Sequence, residues 1–129
     1  MSVRQAIASA AAPRALGPYS QAVEAGGFVF CSGQVGLDPA SGALVEGGLE
    51  AQAERVLRNL AAVLDAAGCT FADVVKTTCF LVDINDFAAF NAVYARFMPD
   101  PPPARSTFAV AALPKAASVE IEAIAIRPG

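Results

Sequence analysis

Apolar and polar positions alternate along "YSQAVEAGGFVFCSGQ", residues 19–34, which is the period-two signature of β-structure. Gly26-Gly27 interrupts the alternation, and two glycines suit a tight turn, so the pattern predicts two strands joined there as a hairpin. "GLDPASGALVEGG" is rich in turn formers and predicts a loop. From Leu49 the period changes: Ala53, Val56, Leu57, Leu60, Leu64 and Ala67 recur at three and four, predicting a helix that Gly68 stops. "DVVKTTCFLV" reads as a β-branched strand. "NDFAAFNAVYARFM" predicts a second amphipathic helix with Phe87, Phe90, Tyr94 and Phe97 on one stripe, ended by the prolines at 99 and 101 to 103. "RSTFAVAAL" and "SVEIEAIAI" close the chain as strands on either side of "PKAA", and near the start "SVRQAIAS" suits a short strand.

The order β-β-β-α-β-α-β-β, without repeats or a linker, predicts one α+β domain spanning residues 1–129. Val75, Thr77, Cys79 and Leu81 fall on one face of strand 74–82, and Val74, Lys76, Thr78, Phe80 and Val82 on the other. Neither set is strongly polar, so both faces want cover. Two helices cover only one face of a sheet of about five or six strands. The open face must meet something else, and a second copy of the chain is the simplest candidate.

Composition narrows the chemistry. The 129 residues are 55% hydrophobic with mean hydropathy +0.48, yet no run approaches the roughly 18 apolar residues of a membrane span. A net charge of −3 offers no grip on nucleic acid or an anionic membrane. There is no histidine, which removes Ser-His-Asp and Cys-His catalysis and most zinc sites. Cys31, Cys69 and Cys79 form no C-x-x-C pair and read as buried, reduced thiols of a cytosolic protein. The first 23 residues hold two arginines and no acid, as a transit peptide would. Pro13, Gly17 and Pro18 break any long amphipathic helix there, and a cytoplasmic protein is the expectation.

Carboxylates, arginine, hydroxyls, backbone amides and water remain. Arg105, between a proline-rich stop and a strand, is either a surface arginine or a fork that holds a carboxylate or phosphate by two bonds. No glycine-rich phosphate loop is present, which favours a small carboxylate. Glu120 and Glu122 share a strand face with Ile124 and Ile126. Glu122 reads as a solvated edge glutamate. If the open face is an interface, Glu120 is partly desolvated and needs a partner, or itself serves as a partner for water. Ser32 lacks the context of a triad nucleophile. Gly33 and Gly36 read as strand-end turn glycines, with the Gly33 amide a possible donor. Alone, Tyr19 reads as a strand aromatic and Asn91 as a helix-surface amide.

Together these pieces carry more. "GPYSQAV", "FCSGQVGLDPASG", "DVVKTTCFLVDINDFAAFNAVY", "PPARST" and "LPKAASVEIEAIA", in that order, resemble the RidA (YjgF-like) imine deaminase family over nearly the whole chain. The resemblance implies a chorismate-mutase-like α+β fold with a mixed sheet and two helices on one face. It further implies a homotrimer with a central barrel and pockets between subunits. The implied activity is hydrolysis of 2-imino acids and enamines to 2-keto acids and ammonia, without metal or cofactor. Arg105 would bind the substrate carboxylate, and Glu120 would position and polarise water. Tyr19, Ser32, Gly33, Asn91 and Thr107 would line the pocket, Thr107 taking a place often held by cysteine. Burial would raise the Glu120 pKa, and a nearby Arg105 would lower it. The alternative readings are a non-catalytic protein that binds or senses small carboxylates such as keto acids, using the same Arg105, and a pathway-specific hydrolase on the same scaffold. A ribonuclease or translation inhibitor, also attached to relatives, conflicts with the acidic balance and missing histidine.

Overall fold

A computed structural model describes residues 4–128. One six-stranded mixed sheet, in the order β1-β2-β3-β6-β4-β5, carries two helices on one face. The strands are β1 (Arg4–Ile7), β2 (Ala22–Ala25), β3 (Phe28–Val35), β4 (Val74–Leu81), β5 (Ala104–Ala109) and β6 (Val119–Ile126). The helices are α1 (Gly48–Ala66), between β3 and β4, and α2 (Phe87–Phe97), between β4 and β5. The α+β class and the predicted element order hold. Ser2 and Val3 of the expected first strand lie outside the described residues.

Local chemistry explains most boundaries. Gly26 and Gly27 turn the β2–β3 hairpin with φ of 59° and 84°, a left-handed pair that side chains resist. The six apolar positions predicted for α1 are all buried, and Gly68, at φ 77°, reverses the chain just past its end. Fully buried Asn59 pins α1 to the end of β3, its Nδ2 donating to the carbonyls of Val35 and Leu37 at 3.2 and 2.9 Å. Gln52, one side of the helix along, accepts from the Ser118 amide at 2.8 Å and so anchors the start of β6.

The helix-facing side of the sheet holds the core. Val29 and Cys31 of β3, Ile121 and Ala123 of β6, and Cys79 and Leu81 of β4 pack under Leu57, Leu60, Leu64 and Phe90. All three cysteines are free and buried, as expected, and burial pushes the Cys31 and Cys79 thiols up to about 12 and about 11. No thiolate is available at neutral pH. No described helix is long and apolar enough to cross a membrane.

The strict alternation expected along strand 74–82 fails at one place. The pairing of β4 with β6 slips between Val74 and Lys76, so Val74 joins the buried face while Val75 is pushed outward. One extra residue in a bulge resets the parity of a strand, and apolar residues on both sides concealed it. The opposite face of the sheet is open. It presents Phe28, Phe30, Phe108 and Ile126, each more than two-fifths exposed, in agreement with the expectation of an uncovered apolar face.

Candidate active site

Strand register decides where the candidate residues point. β5 runs parallel to β4, pairing Arg105 with Thr77 and Thr107 with Cys79. β6 runs antiparallel to β4, pairing Glu120 with Phe80 and Glu122 with Thr78. Thr77 and Cys79 are core residues, so Arg105 and Thr107 stand on the helix-covered side. Glu120 and Glu122 stand on the open side. The candidate residues therefore fall into two groups that one protomer does not bring together.

The first group surrounds Arg105. Its Nη1 donates to Asn91 Oδ1 at 2.8 Å. Its guanidinium carbon lies 5.4, 5.9 and 4.8 Å from the ring centroids of Phe87, Phe90 and Tyr94. Residues 87, 90, 91 and 94 form one stripe of α2, so a single helix face builds the whole seat. Among the described residues no carboxylate pairs with Arg105. Its charge is held by ring faces and one amide, which leaves donors of the fork for a guest. Thr107 lies two residues on, its hydroxyl oxygen buried without a hydrogen-bond partner. A cleft of about 470 Å³ opens beside Arg105, walled by Tyr94, Ala95, Met98 and prolines 99, 102 and 103.

The second group surrounds Glu120. Between Cys31 and Gln34 the β3–β6 pairing takes up one extra residue on β3, and Ser32 and Gly33 occupy this bulge. The Glu120 carboxylate lies across Gly33: a Cβ there would come within 2.7 Å of its carboxyl carbon. Gly33 is thus not the strand-end turn residue expected but the floor under a carboxylate. Val35 and Phe80 flank Glu120 on its neighbouring strands. Burial pushes its carboxyl above the usual range, and the charge of Glu122 adds to the push. Arg105, on the other side of the sheet, supplies no counterweight within the protomer. Glu122 is exposed, as expected.

Tyr19 does not belong to a strand. β2 begins only at Ala22, and Tyr19 sits in the preceding loop, about half exposed, its hydroxyl accepting from the Leu16 amide at 3.0 Å. Gln21 braces that loop, accepting from Ser9 N at 2.6 Å and donating to Pro13 O at 2.7 Å. The Ser32 hydroxyl donates to Ser20 O at 2.6 Å, tying the loop to the bulge beneath Glu120. Asn91, in turn, is no simple surface amide, because its oxygen is committed to Arg105.

Residues 9–127 match the sequence profile of the endoribonuclease L-PSP family. A human 2-iminobutanoate/2-iminopropanoate deaminase is 50% identical over 125 residues, 97% of this chain and 91% of that protein. The chain belongs to the endoribonuclease L-PSP family. Within this family, the crystal structure of RidA from an Antarctic Psychrobacter superposes with a TM-score of 0.92 at 48% identity, over 95% of this chain and 98% of that one. Escherichia coli TdcF, crystallised with bound serine, gives 0.89 at 42% identity, over 96% and 99%. For this L-PSP chain the residues missed in the sequence are Phe87, Phe90 and Tyr94, seen there only as a core stripe. Their spacing around Asn91 was the available signal.

Proposed function

We propose that the protein hydrolyses 2-imino acids such as 2-iminopropanoate and 2-iminobutanoate to 2-keto acids and ammonia, in a site completed by a second copy of the chain. The observation that carries this reading is the division of labour between faces. Among the described residues, an arginine without an acid partner waits on one side, and a half-buried carboxylate without a cation partner waits on the other. Identity of about half over nearly the full length to a protein named for this activity supports the substrate class.

In this reading Arg105 and Asn91 hold the substrate carboxylate, and the partner's surface brings Glu120, Gly33, Ser32 and Tyr19 against the imine carbon. The protonated imine is already electrophilic. Glu120 orients a water and accepts its proton as the oxygen adds to C2, then passes that proton to the amine nitrogen; as the carbon–nitrogen bond breaks, ammonia leaves and the new hydroxyl gives up its proton to become the keto oxygen. Thr107 presents its unpartnered hydroxyl near the substrate without thiol chemistry. The assembly that fits is the chorismate-mutase-like homotrimer of single-domain protomers, its open sheet faces forming a central barrel with a pocket at each subunit boundary. The cytoplasm is the proposed setting.

Mixing tests the division directly. Arg105→Ala and Glu120→Gln copies are each expected to be nearly inactive on freshly generated 2-iminopropanoate, followed by keto-acid release. Co-refolded at equal amounts, they regain about a quarter of wild-type activity, because random cyclic assembly leaves roughly one site in four with both residues intact. No recovery, with mixed assemblies present, rejects a shared site. Failure of the unmixed wild type to release keto acid faster than buffer rejects the deaminase reading and favours a keto-acid binder.

The pH profile carries a second expectation. Water activation needs ionised Glu120, so kcat/KM falls as pH drops through its raised pKa, earlier than for an ordinary carboxylate. Glu122→Gln removes the like charge that contributes to the elevation, so the acid limb moves to lower pH. A limb that stays in place shows that another group controls the fall.

A further inference from the structure

Three rings face Arg105, and one of them differs from the others. Tyr94 lies nearest, at 4.8 Å, and like Phe90 it is buried, whereas Phe87 is 39% exposed. Tyr94 is also the only one of the three with a polar anchor: its hydroxyl meets Thr77 Oγ1 at 2.6 Å. Thr77 is itself fully buried on β4, and its backbone stands in register with Arg105 on β5. The three residues thus close a circuit. Arg105 is paired to Thr77 through the sheet, Thr77 holds the Tyr94 hydroxyl, and the Tyr94 ring carries the guanidinium that leaves Arg105. Asn91, one helical turn before Tyr94, adds a contact at Nη1.

An arginine side chain has several free torsions, and a fork is useful only when its plane is fixed before the guest arrives. A neighbouring carboxylate would fix it but would also occupy the donors. A ring face attracts the cation through its quadrupole and offers no lone pair that competes with the substrate. On the reading of Arg105 as the carboxylate clamp, we infer that Tyr94 is its positioning residue, setting the plane in which the guanidinium meets the substrate carboxylate.

The test is graded fluorination. With Tyr94→Phe as baseline, mono-, di- and trifluorophenylalanine installed at position 94 weaken the ring quadrupole stepwise while changing its shape little. Binding of 2-ketobutyrate is measured by calorimetry and turnover of 2-iminobutanoate by keto-acid release. Kd and KM are expected to rise stepwise, reaching about tenfold with three fluorines, while kcat moves much less, because the carboxylate is held alike in ground and transition states. If Tyr94→Phe does not fold, a fluorotyrosine series carries the same comparison with the hydroxyl kept. A flat response while Arg105→Ala abolishes binding overturns the inference and leaves the clamp standing. Wild-type binding by Arg105→Ala overturns both.

Discussion

Glu120→Gln is expected to fold, assemble and bind 2-ketobutyrate, yet lose about 10²–10⁴-fold in imine hydrolysis, the range typical for loss of a general base. Glutamine is nearly isosteric and fits the space over Gly33. Its amide hydrogen-bonds a water but cannot accept the water's proton. Stability argues the same way. Because the folded protomer raises the Glu120 pKa, the ionised side chain disfavours folding at neutral pH, an effect absent below the unfolded pKa and absent in the amide. The amide therefore removes a charge that burial disfavours, and a thermal melt no lower than that of the wild type assigns the loss of rate to chemistry. Glu122→Gln provides the control, with the same strand, face and functional group, and is expected to be near wild type at neutral pH. Equal damage from both substitutions, or none from Glu120→Gln, places the water on another group.

Arg105→Lys is expected to lower kcat/KM by roughly ten- to hundredfold, although the charge is kept. The loss corresponds to one charge-assisted hydrogen bond of about 1.5–3 kcal/mol. An ammonium has no plane. It cannot sit over the Tyr94 ring, donate to Asn91 and still present two parallel donors to a carboxylate. Steady-state kinetics on enzymatically generated imine measures the effect, and turnover at the wild-type rate would return Arg105 to the ranks of surface arginines.

The parts of this fold legible in the sequence are those where one period runs uninterrupted. α1 shows six apolar positions at helical spacing before a stop glycine, and the β2–β3 hairpin is marked by Gly-Gly. What escaped lies where a single residue breaks the period. The bulge at Val75 is silent because Val74 and Val75 are chemically alike, and nothing local says which faces inward. The bulge at Ser32-Gly33 is silent because the Glu120 carboxylate that lies across Gly33 is 87 positions away. Tyr19 fits the alternation of the strand that begins three residues later, but the braces of Gln21 and Ser32 keep it in a loop. The separation of Arg105 from Glu120 depends on register against β4, which sets Arg105 opposite buried Thr77 and Glu120 opposite Phe80 on the other face. Register across a sheet is a long-range property that local period does not encode.

Gly33 has a consequence for anyone who would move this chemistry to another scaffold. The carboxylate is spelled on one strand, but the room it occupies is spelled on the neighbouring strand, as a missing side chain inside a one-residue bulge. Grafting the β6 segment alone would install the acid and leave its orientation to chance. The transferable unit is the pair of strands with their irregularity, and a smoother, more regular sheet would be the worse host.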